Sequence, residues 1–526
     1  MKLIKNLVKN KKIFFYLLFF LLFIIVFVLR FFPIRVSYGW DESVYLQHSE
    51  FFFSGKNNYN EFNYRPIFLS LIFYFGYFIY HNVLTARFIV ALLGSIGFLM
   101  VFLIGKELYN EEIGFLSSIF YGFSTFIVSI SKLILTEIPS MTFFMISFYL
   151  LVIGVKRKEK LNKYLFLSGL FYGISLLTRF TSLFLFFILI LYFLIGFYEK
   201  KFRKIKFEVN LKFLSYILGF FIDFLKKFFY FFVGFFLILI PYFVWIQVRF
   251  GFFLYPFFNA YNYVSDFNEN NLFYVINFFN IYNVIINIGF LIYISILVYY
   301  YLDIFLLKKR FKREIAFNLN NLEFSKGLNE DFVFLFWIIS YIFYISIIPH
   351  KELRYLLPIF LPFFFLSSKG FYILNKFLEK KINIMKIKIA SDLFIIGLIV
   401  LFMFFSKESF DKSNNFIDSF KSKEVKVSEF LMDHVKEYPE KKDYKVYVRE
   451  YFPVYGYYTN FTVMPIIVHD NDYFYKYYIR YMNKNGFFIN YKDSLKSIDK
   501  NWLKSNTKFK LLKEIEDIEI YEYTFN

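Results

Sequence analysis

Long apolar runs recur along this chain, and they constrain its fold more than any other feature. A helix of about 20 apolar residues crosses the hydrocarbon layer of a bilayer. With 58% hydrophobic residues and a mean hydropathy of +0.49, the chain is more apolar than soluble globular proteins of its size. We therefore predict an α-helical polytopic membrane protein. Its eleven transmembrane helices are placed near residues 13–32, 86–104, 114–130, 138–155, 164–178, 180–198, 228–246, 284–302, 332–348, 355–368 and 391–405.

Other apolar or aromatic segments leave alternatives open. The first apolar run has a basic front and no small-residue cleavage site, so we interpret it as a retained anchor rather than a removed signal peptide. Residues 66–80 and 211–226 are either interfacial segments or additional spans. The loop 247–283 is rich in Phe, Tyr and Asn. It forms either an interfacial aromatic belt or a cover over an entrance.

The basic residues indicate how the helices are oriented. Most Lys and Arg residues of the membrane part lie in alternate loops, and such loops face the cytoplasm. This pattern places the N-terminus in the cytoplasm and, with an odd number of helices, the C-terminus outside the plasma membrane. The loops assigned to the cytoplasm are 1–12, 105–113, 156–163, 199–227, 303–331 and 369–390.

The net charge of +20 has the same origin. From Lys407 onward the acidic and basic residues nearly balance, so almost all of the excess lies in the membrane part. The excess is an orientation signal rather than the clustered basic face of a nucleic-acid-binding protein, and we expect no nucleic-acid partner. The chain has no cysteine, which excludes disulfides, thiolate nucleophiles and cysteine metal sites.

With this orientation, charged side chains gather at the outer face of an otherwise apolar protein. Ionisable residues in such a setting are candidates for function. An adjacent acid pair, Asp41-Glu42, follows the first apolar run, where it is a poor membrane anchor. The candidate residues are Asp41, Glu42 and Arg65 in the first external loop 33–85, Glu137 at the start of the fourth predicted helix, Arg179 in a tight turn, and His350, Lys351, Glu352 and Arg354 before the tenth helix.

Together these features resemble the GT-C superfamily of glycosyltransferases, which use polyprenyl-phosphate-linked sugars. The acid pair, the step Arg65-Pro66 and the acid Glu137 are similar to those of protein O-mannosyltransferases and of the aminoarabinose transferases of lipid A. The segment His350 to Tyr355 is similar to one in the mannosyltransferases of lipid-linked oligosaccharide and GPI-anchor assembly. The resemblance covers residues 10–405 and is strongest over 38–185.

The resemblance implies an integral-membrane glycosyltransferase. It would move mannose or another hexose or pentose from a polyprenyl-phosphate donor to a protein, glycan or lipid acceptor, with inversion at the anomeric carbon. Membrane lipid is a further partner that the resemblance implies. The resemblance leaves the metal requirement unassigned, because the superfamily contains members of both kinds. A divalent cation therefore stays a candidate cofactor.

The chemistry of such a transfer assigns a role to each candidate residue. We predict Asp41 as the general base, with a pKa raised by its low-dielectric setting, and Glu42 as the residue that orients acceptor or sugar. Cations stabilise the negative charge that grows on the departing lipid phosphate. Arg65, Lys351 and Arg354 are predicted to bind it. Glu137, His350 and Glu352 are candidates for binding substrate or a metal ion.

Each assignment has a plainer alternative. Asp41 and Glu42 fit a solvated loop, and Glu137 fits the cap of the helix that follows it. Arg65 and Arg179 fit interfacial cations whose stems lie along apolar surface, and residues 350–354 fit a charged turn. For the whole protein, a flippase or transporter of lipid-linked sugars is the main alternative, and a non-catalytic scaffold is another. A transporter is expected to place charges or broken helices near the membrane midplane.

Beyond residue 406 the sequence changes character. Charges of both signs alternate with short apolar segments, which predicts a small extracytoplasmic α/β domain over 407–526, distinct from a transmembrane catalytic domain over 1–406. This domain either selects the acceptor or stabilises the protein as a cap. Its predicted elements are helix 424–438, strands 444–449 and 462–468, helix 470–484, strand 486–491, helix 493–504 and strands 509–515 and 518–524.

Overall fold

The fold is a bundle of long apolar helices followed by a small sheet domain. In this computed structural model the described residues are 11–33, 38–55, 65–202, 211–265, 270–306, 328–381, 394–404, 406, 422–459, 461–466, 482–492 and 498–525. The helices before the sheet domain are α1 (Lys11–Phe31), α2 (Trp40–Ser54), α3 (Phe68–Tyr77), α4 (Val83–Leu108), α5 (Glu111–Phe123), α6 (Thr125–Ser131), α7 (Glu137–Arg157), α8 (Leu161–Thr178), α9 (Leu185–Phe202), α10 (Leu211–Phe250), α11 (Tyr255–Ser265), α12 (Phe273–Ile281), α13 (Val284–Leu306), α14 (Leu328–Ile347), α15 (Phe360–Lys381) and α16 (Phe394–Phe404), with 3-10 turns at Phe180–Phe184 and Leu353–Ile359.

The helical membrane architecture is confirmed, whereas the number of spans is not. Among the described residues six helices are long and apolar enough to cross a bilayer, or seven if the bent pair α5 and α6 forms one span. Each of the eleven predicted segments overlaps a helix, but within the described residues not every one contains a helix long and apolar enough to cross a bilayer. The segment 66–80 forms the short helix α3, and residues 211–226 continue into the seventh predicted span as α10.

Small residues bring α7 and α8 together. Ser147 and Ser168 each donate a hydroxyl hydrogen bond to the other's carbonyl oxygen, at 2.8 and 2.9 Å. One heptad along, Ser140 and Ser175 repeat the arrangement at 3.0 and 2.9 Å. Within a membrane, packing and such interhelical hydrogen bonds replace the hydrophobic driving force. The two serine pairs therefore fix the position of α7, which begins at Glu137.

A buried arginine supports the break between α5 and α6, which are bent by 56°. A break frees carbonyl oxygens that a continuous helix would use, and in a membrane these oxygens need partners. Arg30, fully buried near the end of α1, donates to Gly122 O at 3.0 Å and to Tyr121 O at 3.2 Å. After the break, α6 leads into the segment 132–136 beside the candidate site.

The C-terminal region forms a five-stranded mixed sheet with strand order β2-β1-β3-β5-β4. Strand β1 runs parallel to β2 and β3, and β5 runs antiparallel to β3 and β4. Buried aliphatic and aromatic side chains pack between the sheet and its helices. The elements are α17 (Lys423–Glu437), a 3-10 turn (Pro439–Asp443), β1 (Lys445–Val448), α18 (Phe452–Tyr458), β2 (Thr462–Pro465), β3 (Gly486–Tyr491), α19 (Lys500–Ser505), β4 (Phe509–Ile515) and β5 (Ile518–Tyr523).

This sheet domain confirms the predicted α/β class. All five strands and the first helix lie where the sequence predicts them, while α18 was not predicted. The predicted helix 470–484 falls mostly outside the described residues, and of helix 493–504 the described part is α19. The boundary near residue 407 also lies outside the described residues, so the division into two domains stays a prediction.

Candidate active site

Helix α2 presents Asp41 in its first turn. The helix begins after Gly39, whose N–H donates to Glu42 Oε2 at 2.9 Å, a side-chain cap that fixes the helix start. The other carboxylate oxygen of Glu42 accepts from Ile134 N, also at 2.9 Å. Glu42 is buried and therefore ties the start of α2 to the segment 132–136.

Two arginines hold the Asp41 carboxylate. Arg65 Nη1 lies 2.8 Å from Asp41 Oδ1, and Arg354 Nη2 lies 2.7 Å from Asp41 Oδ2. The Asp41 side chain keeps 23% exposure, so solvent still reaches it. Arg65 precedes α3 and Arg354 lies in the turn before α15, so these contacts join three distant parts of the chain.

Arg354 is shared among three carboxylates. Besides Asp41, its guanidinium contacts Glu352 and lies 3.2 Å from Glu137 Oε1. Glu137 is 3% exposed and also pairs with Arg179, at 2.9 Å. A guanidinium with several competing acceptors is suited to exchange one of them for a phosphate. We name this group of Asp41, Arg65, Glu137, Arg179, Glu352 and Arg354 the Asp41 cluster.

The cluster borders a cavity of about 700 Å³, a size typical of small-ligand pockets. Ala260 of α11 contributes to its wall, so the aromatic loop 247–283 does reach the site. Glu137 lies behind the wall, beside Arg179 and Arg354. Of the predicted residues, those that line the cavity are Asp41, Glu42, Arg65, Arg179, His350, Glu352 and Arg354.

Lys351 does not line this cavity. Its ammonium donates to carbonyl oxygens at the end of α14 and just beyond it, Ser346 O at 2.7 Å and Ile348 O. The ammonium also lies 5.6 Å from the centre of the Tyr274 ring. A cation at this position satisfies the unpaired carbonyls of a helix C-terminus. In this structure Lys351 therefore caps a helix, and its predicted contact with a donor phosphate stays a prediction.

The predicted raised pKa of Asp41 is wrong for this structure. Burial does raise the pKa of the carboxyl, but the charges of Arg65 and Arg354 outweigh that effect and hold the pKa below its usual value. The pKa of Glu352 is lowered in the same way, because burial is outweighed by His350 and Arg354. The sequence identified the acids but not which cations would lie against them.

Arg179 makes more contacts within the site than its position in the sequence indicated. Its guanidinium pairs with Glu137, donates to Thr136 Oγ1 at 3.2 Å and lies 5.1 Å from the centre of the Tyr355 ring. The available signal was a single cation in a tight turn between two apolar runs.

Among the described residues, no three His, Asp or Glu side chains form a group that could hold a metal ion.

Comparison with known proteins agrees with this architecture. A family described as dolichyl-phosphate-mannose-protein mannosyltransferase matches residues 65–225. ArnT from Cupriavidus metallidurans, in its crystal structure bound to undecaprenyl phosphate, superposes with a TM-score of 0.65 at 11% identity, covering 97% of this chain and 98% of that chain.

An archaeal protein gives a similar result. The Archaeoglobus fulgidus oligosaccharyltransferase, tethered to an acceptor peptide, superposes with a TM-score of 0.58 at 11% identity, covering 90% of this chain and 68% of that chain. The chain has the GT-C fold. The fold that the resemblance implied is thereby confirmed. No curated protein sequence matches the chain.

Proposed function

We propose that this chain is an integral-membrane glycosyltransferase that moves a hexose or pentose from a polyprenyl-phosphate donor to an acceptor at the outer membrane face. The observation that carries the proposal is Asp41, held between two arginines at the wall of a 700 Å³ cavity. The match to a dolichyl-phosphate-mannose-dependent family and the likeness to ArnT with undecaprenyl phosphate support a lipid-phosphate donor. Mannose is one candidate sugar, and protein, glycan and lipid are candidate acceptors.

The proposed reaction is a direct displacement. The acceptor hydroxyl oxygen attacks the anomeric carbon, and the bond from that carbon to the phosphate oxygen breaks. The phosphate leaves with the bonding electron pair, and Asp41 takes the hydroxyl proton. One carboxylate base without a covalent intermediate gives inversion at the anomeric carbon. The arginines of the Asp41 cluster neutralise the charge that develops on the leaving phosphate.

Donor binding also explains how Asp41, whose pKa is lowered, can act as the base. Both Asp41 oxygens are engaged by Arg65 and Arg354. A phosphate in the cavity competes for these guanidiniums and adds negative charge nearby, and both effects raise the pKa of the carboxyl. Asp41 thus becomes an effective base when the donor is in place. Glu137 keeps Arg179 and Arg354 oriented toward the cavity.

The decisive experiment is Asp41→Asn in detergent-solubilised protein supplied with a polyprenyl-phosphate-linked sugar. We expect transfer to fall about 10²–10⁴-fold, the usual contribution of a general base. Asp223→Asn is the matched control, because Asp223 forms a helical ion pair with Lys227 on α10 and does not line the cavity. Undiminished transfer by folded Asp41→Asn protein would refute Asp41 as the base.

The same preparation discriminates between transfer and transport. Reconstituted in vesicles, a flippase would move the lipid-linked sugar across the bilayer without forming a glycosylated product. Product formation that depends on Asp41 supports the transferase. Lipid movement without product, unchanged by Asp41→Asn, contradicts it.

A further inference from the structure

Helix α18 of the sheet domain lies directly against α2. Tyr38 N donates to the Tyr458 hydroxyl at 2.9 Å, and Gln47 Nε2 donates to Pro453 O at 2.7 Å. Both contacts join residues more than four hundred positions apart in the sequence. We call this contact between α2 and α18 the domain joint.

The joint is closely packed at Gly456. A Cβ atom at this position would clash with the amide oxygen of Gln47, whose side chain is buried. Gly456 lies inside α18, so the constraint at this position is one of space rather than of backbone conformation, and relieving it means moving the amide that donates to Pro453 O. Any larger residue must displace either Gln47 or α18.

Trp40 connects the joint to the cavity. Its ring lies 4.4 Å from that of Phe452, centre to centre, and 6.4 Å from that of Tyr451. Trp40 also lines the cavity, and the next residue is Asp41. Because α2 is a continuous helix from Trp40 to Ser54, a shift imposed at the joint is transmitted to the Asp41 carboxylate.

We infer that the sheet domain is a positioning element for the catalytic base: through α18 it holds α2 in the register that places Asp41 against the reacting hydroxyl. The inference rests on the function proposed above for Asp41. A misplacement of about 1 Å at a reacting group costs on the order of a hundredfold in rate. The domain joint thus gives the C-terminal domain a direct role in turnover, beyond that of a cap.

Gly456→Ala tests the inference. Within a helix this change is favourable by about 1 kcal/mol when space permits, so a loss must come from the clash with Gln47. We expect kcat to fall about tenfold while the KM for the donor stays within twofold, because Arg179 and Arg354 lie outside α2. Tyr458→Phe, which removes the acceptor for Tyr38 N, should lower kcat by a smaller factor.

Tyr523→Phe is the control for Tyr458→Phe. Its hydroxyl donates to Met482 O inside the sheet domain, away from the joint, and we expect its kcat to match the unmodified protein. If Tyr523→Phe lowers kcat as much as Tyr458→Phe does, the effect reflects general loosening of the domain and the inference is overturned.

A second variant provides a rescue. Gln47→Ala removes the atoms with which the new methyl group clashes, but also the hydrogen bond to Pro453 O. Gly456→Ala with Gln47→Ala should therefore be more active than Gly456→Ala alone and should match Gln47→Ala alone. Amide hydrogen exchange gives a readout independent of turnover: residues of α2 should exchange faster in Gly456→Ala, and slow again in the double variant.

The outcomes separate this inference from the proposed function. Inactive Asp41→Asn together with unchanged kcat and unchanged exchange in Gly456→Ala overturns the positioning role alone. Undiminished transfer by Asp41→Asn refutes Asp41 as the base, and absence of product with the unmodified protein overturns the proposed function, whatever the joint variants do.

Discussion

Charged side chains occur at both ends of the helical bundle, and the two groups are built differently. At one end the Asp41 cluster borders a cavity, and its central residues Asp41 and Arg354 are 23% and 21% exposed. At the other end Asp331 of α14 and Lys369 of α15 form a sealed pair at 2.5 Å, each 2% exposed. Tyr109 closes this pair with a 2.6 Å hydrogen bond to Asp331.

The contrast lies in exposure and in how the partners are shared. Lys369 and Asp331 are both almost fully buried, and their ion pair joins two helices. In the Asp41 cluster, Arg354 contacts three carboxylates and Glu137 contacts two arginines. Shared partners can be exchanged for a ligand at small cost, whereas a sealed pair cannot. The first arrangement suits chemistry, and the second suits packing.

Breaking the sealed pair should give the largest effect on stability. Lys369→Met leaves Asp331 buried without its cation and should destabilise the protein by about 3–5 kcal/mol, seen as a lower midpoint of thermal unfolding in detergent. Adding Asp331→Asn should recover most of the loss. Full stability of Lys369→Met would mean that the pair is dispensable and would remove the contrast.

Arg354→Lys should instead lower turnover. Lysine keeps the charge but loses the planar fork that contacts several acceptors at once, and we expect kcat to fall about 10²–10³-fold with little change in stability. Arg157→Lys is the matched control, since Arg157 is 60% exposed and pairs with Glu107 at the opposite end. Equal losses in both variants would contradict a special role for Arg354.

Arg65→Gln should alter the pH dependence. In the unmodified protein the pKa of Asp41 lies below its usual value, so Asp41 stays ionised throughout pH 5–8. We therefore expect no decrease in kcat/KM toward the acidic end of this range. Without Arg65 the effect of burial is balanced by one cation fewer, and the pKa of Asp41 rises. The decrease in kcat/KM at acidic pH should then begin at a higher pH than in the unmodified protein. A pH profile identical to that of the unmodified protein would argue against Asp41 as the titrating base.

Lys351→Met should give the smallest effect. The change removes a helix-end cation and should cost about 1 kcal/mol in stability, while kcat and the KM for the donor stay within twofold. The result bears on the predicted phosphate contact of Lys351. A tenfold rise in the donor KM would restore Lys351 to the phosphate site and enlarge the Asp41 cluster.

Much of the fold could be predicted because the bilayer imposes a length and a polarity on every span. Each of the eleven predicted segments overlaps a helix, and all five strands of the sheet domain were found. The count of spans was not obtained, since the break at Ser124 depends on local packing. Helix α18 was missed because seven residues carry too little periodicity.

The sequence predicted which residues form the candidate site but not which of them contact one another. The residue types and their common face pointed to Asp41, Glu137 and Arg354. Nothing in the sequence shows that Arg354 lies 2.7 Å from an acid 313 positions away. Nor does it show that Glu42 accepts two backbone N–H groups, or that Lys351 turns back onto α14.

The sequence by itself determined a helical membrane protein, an appended α/β domain and a set of acids and cations at one face. These follow from apolar length, short-range periodicity and charge placement, which are local properties. Only the tertiary structure decided which cation lies against which acid, the lowered pKa of Asp41 and the contact between α2 and α18. Ion-pair geometry and desolvation depend on distances between elements far apart in the chain, and those distances exist only once the helices have packed.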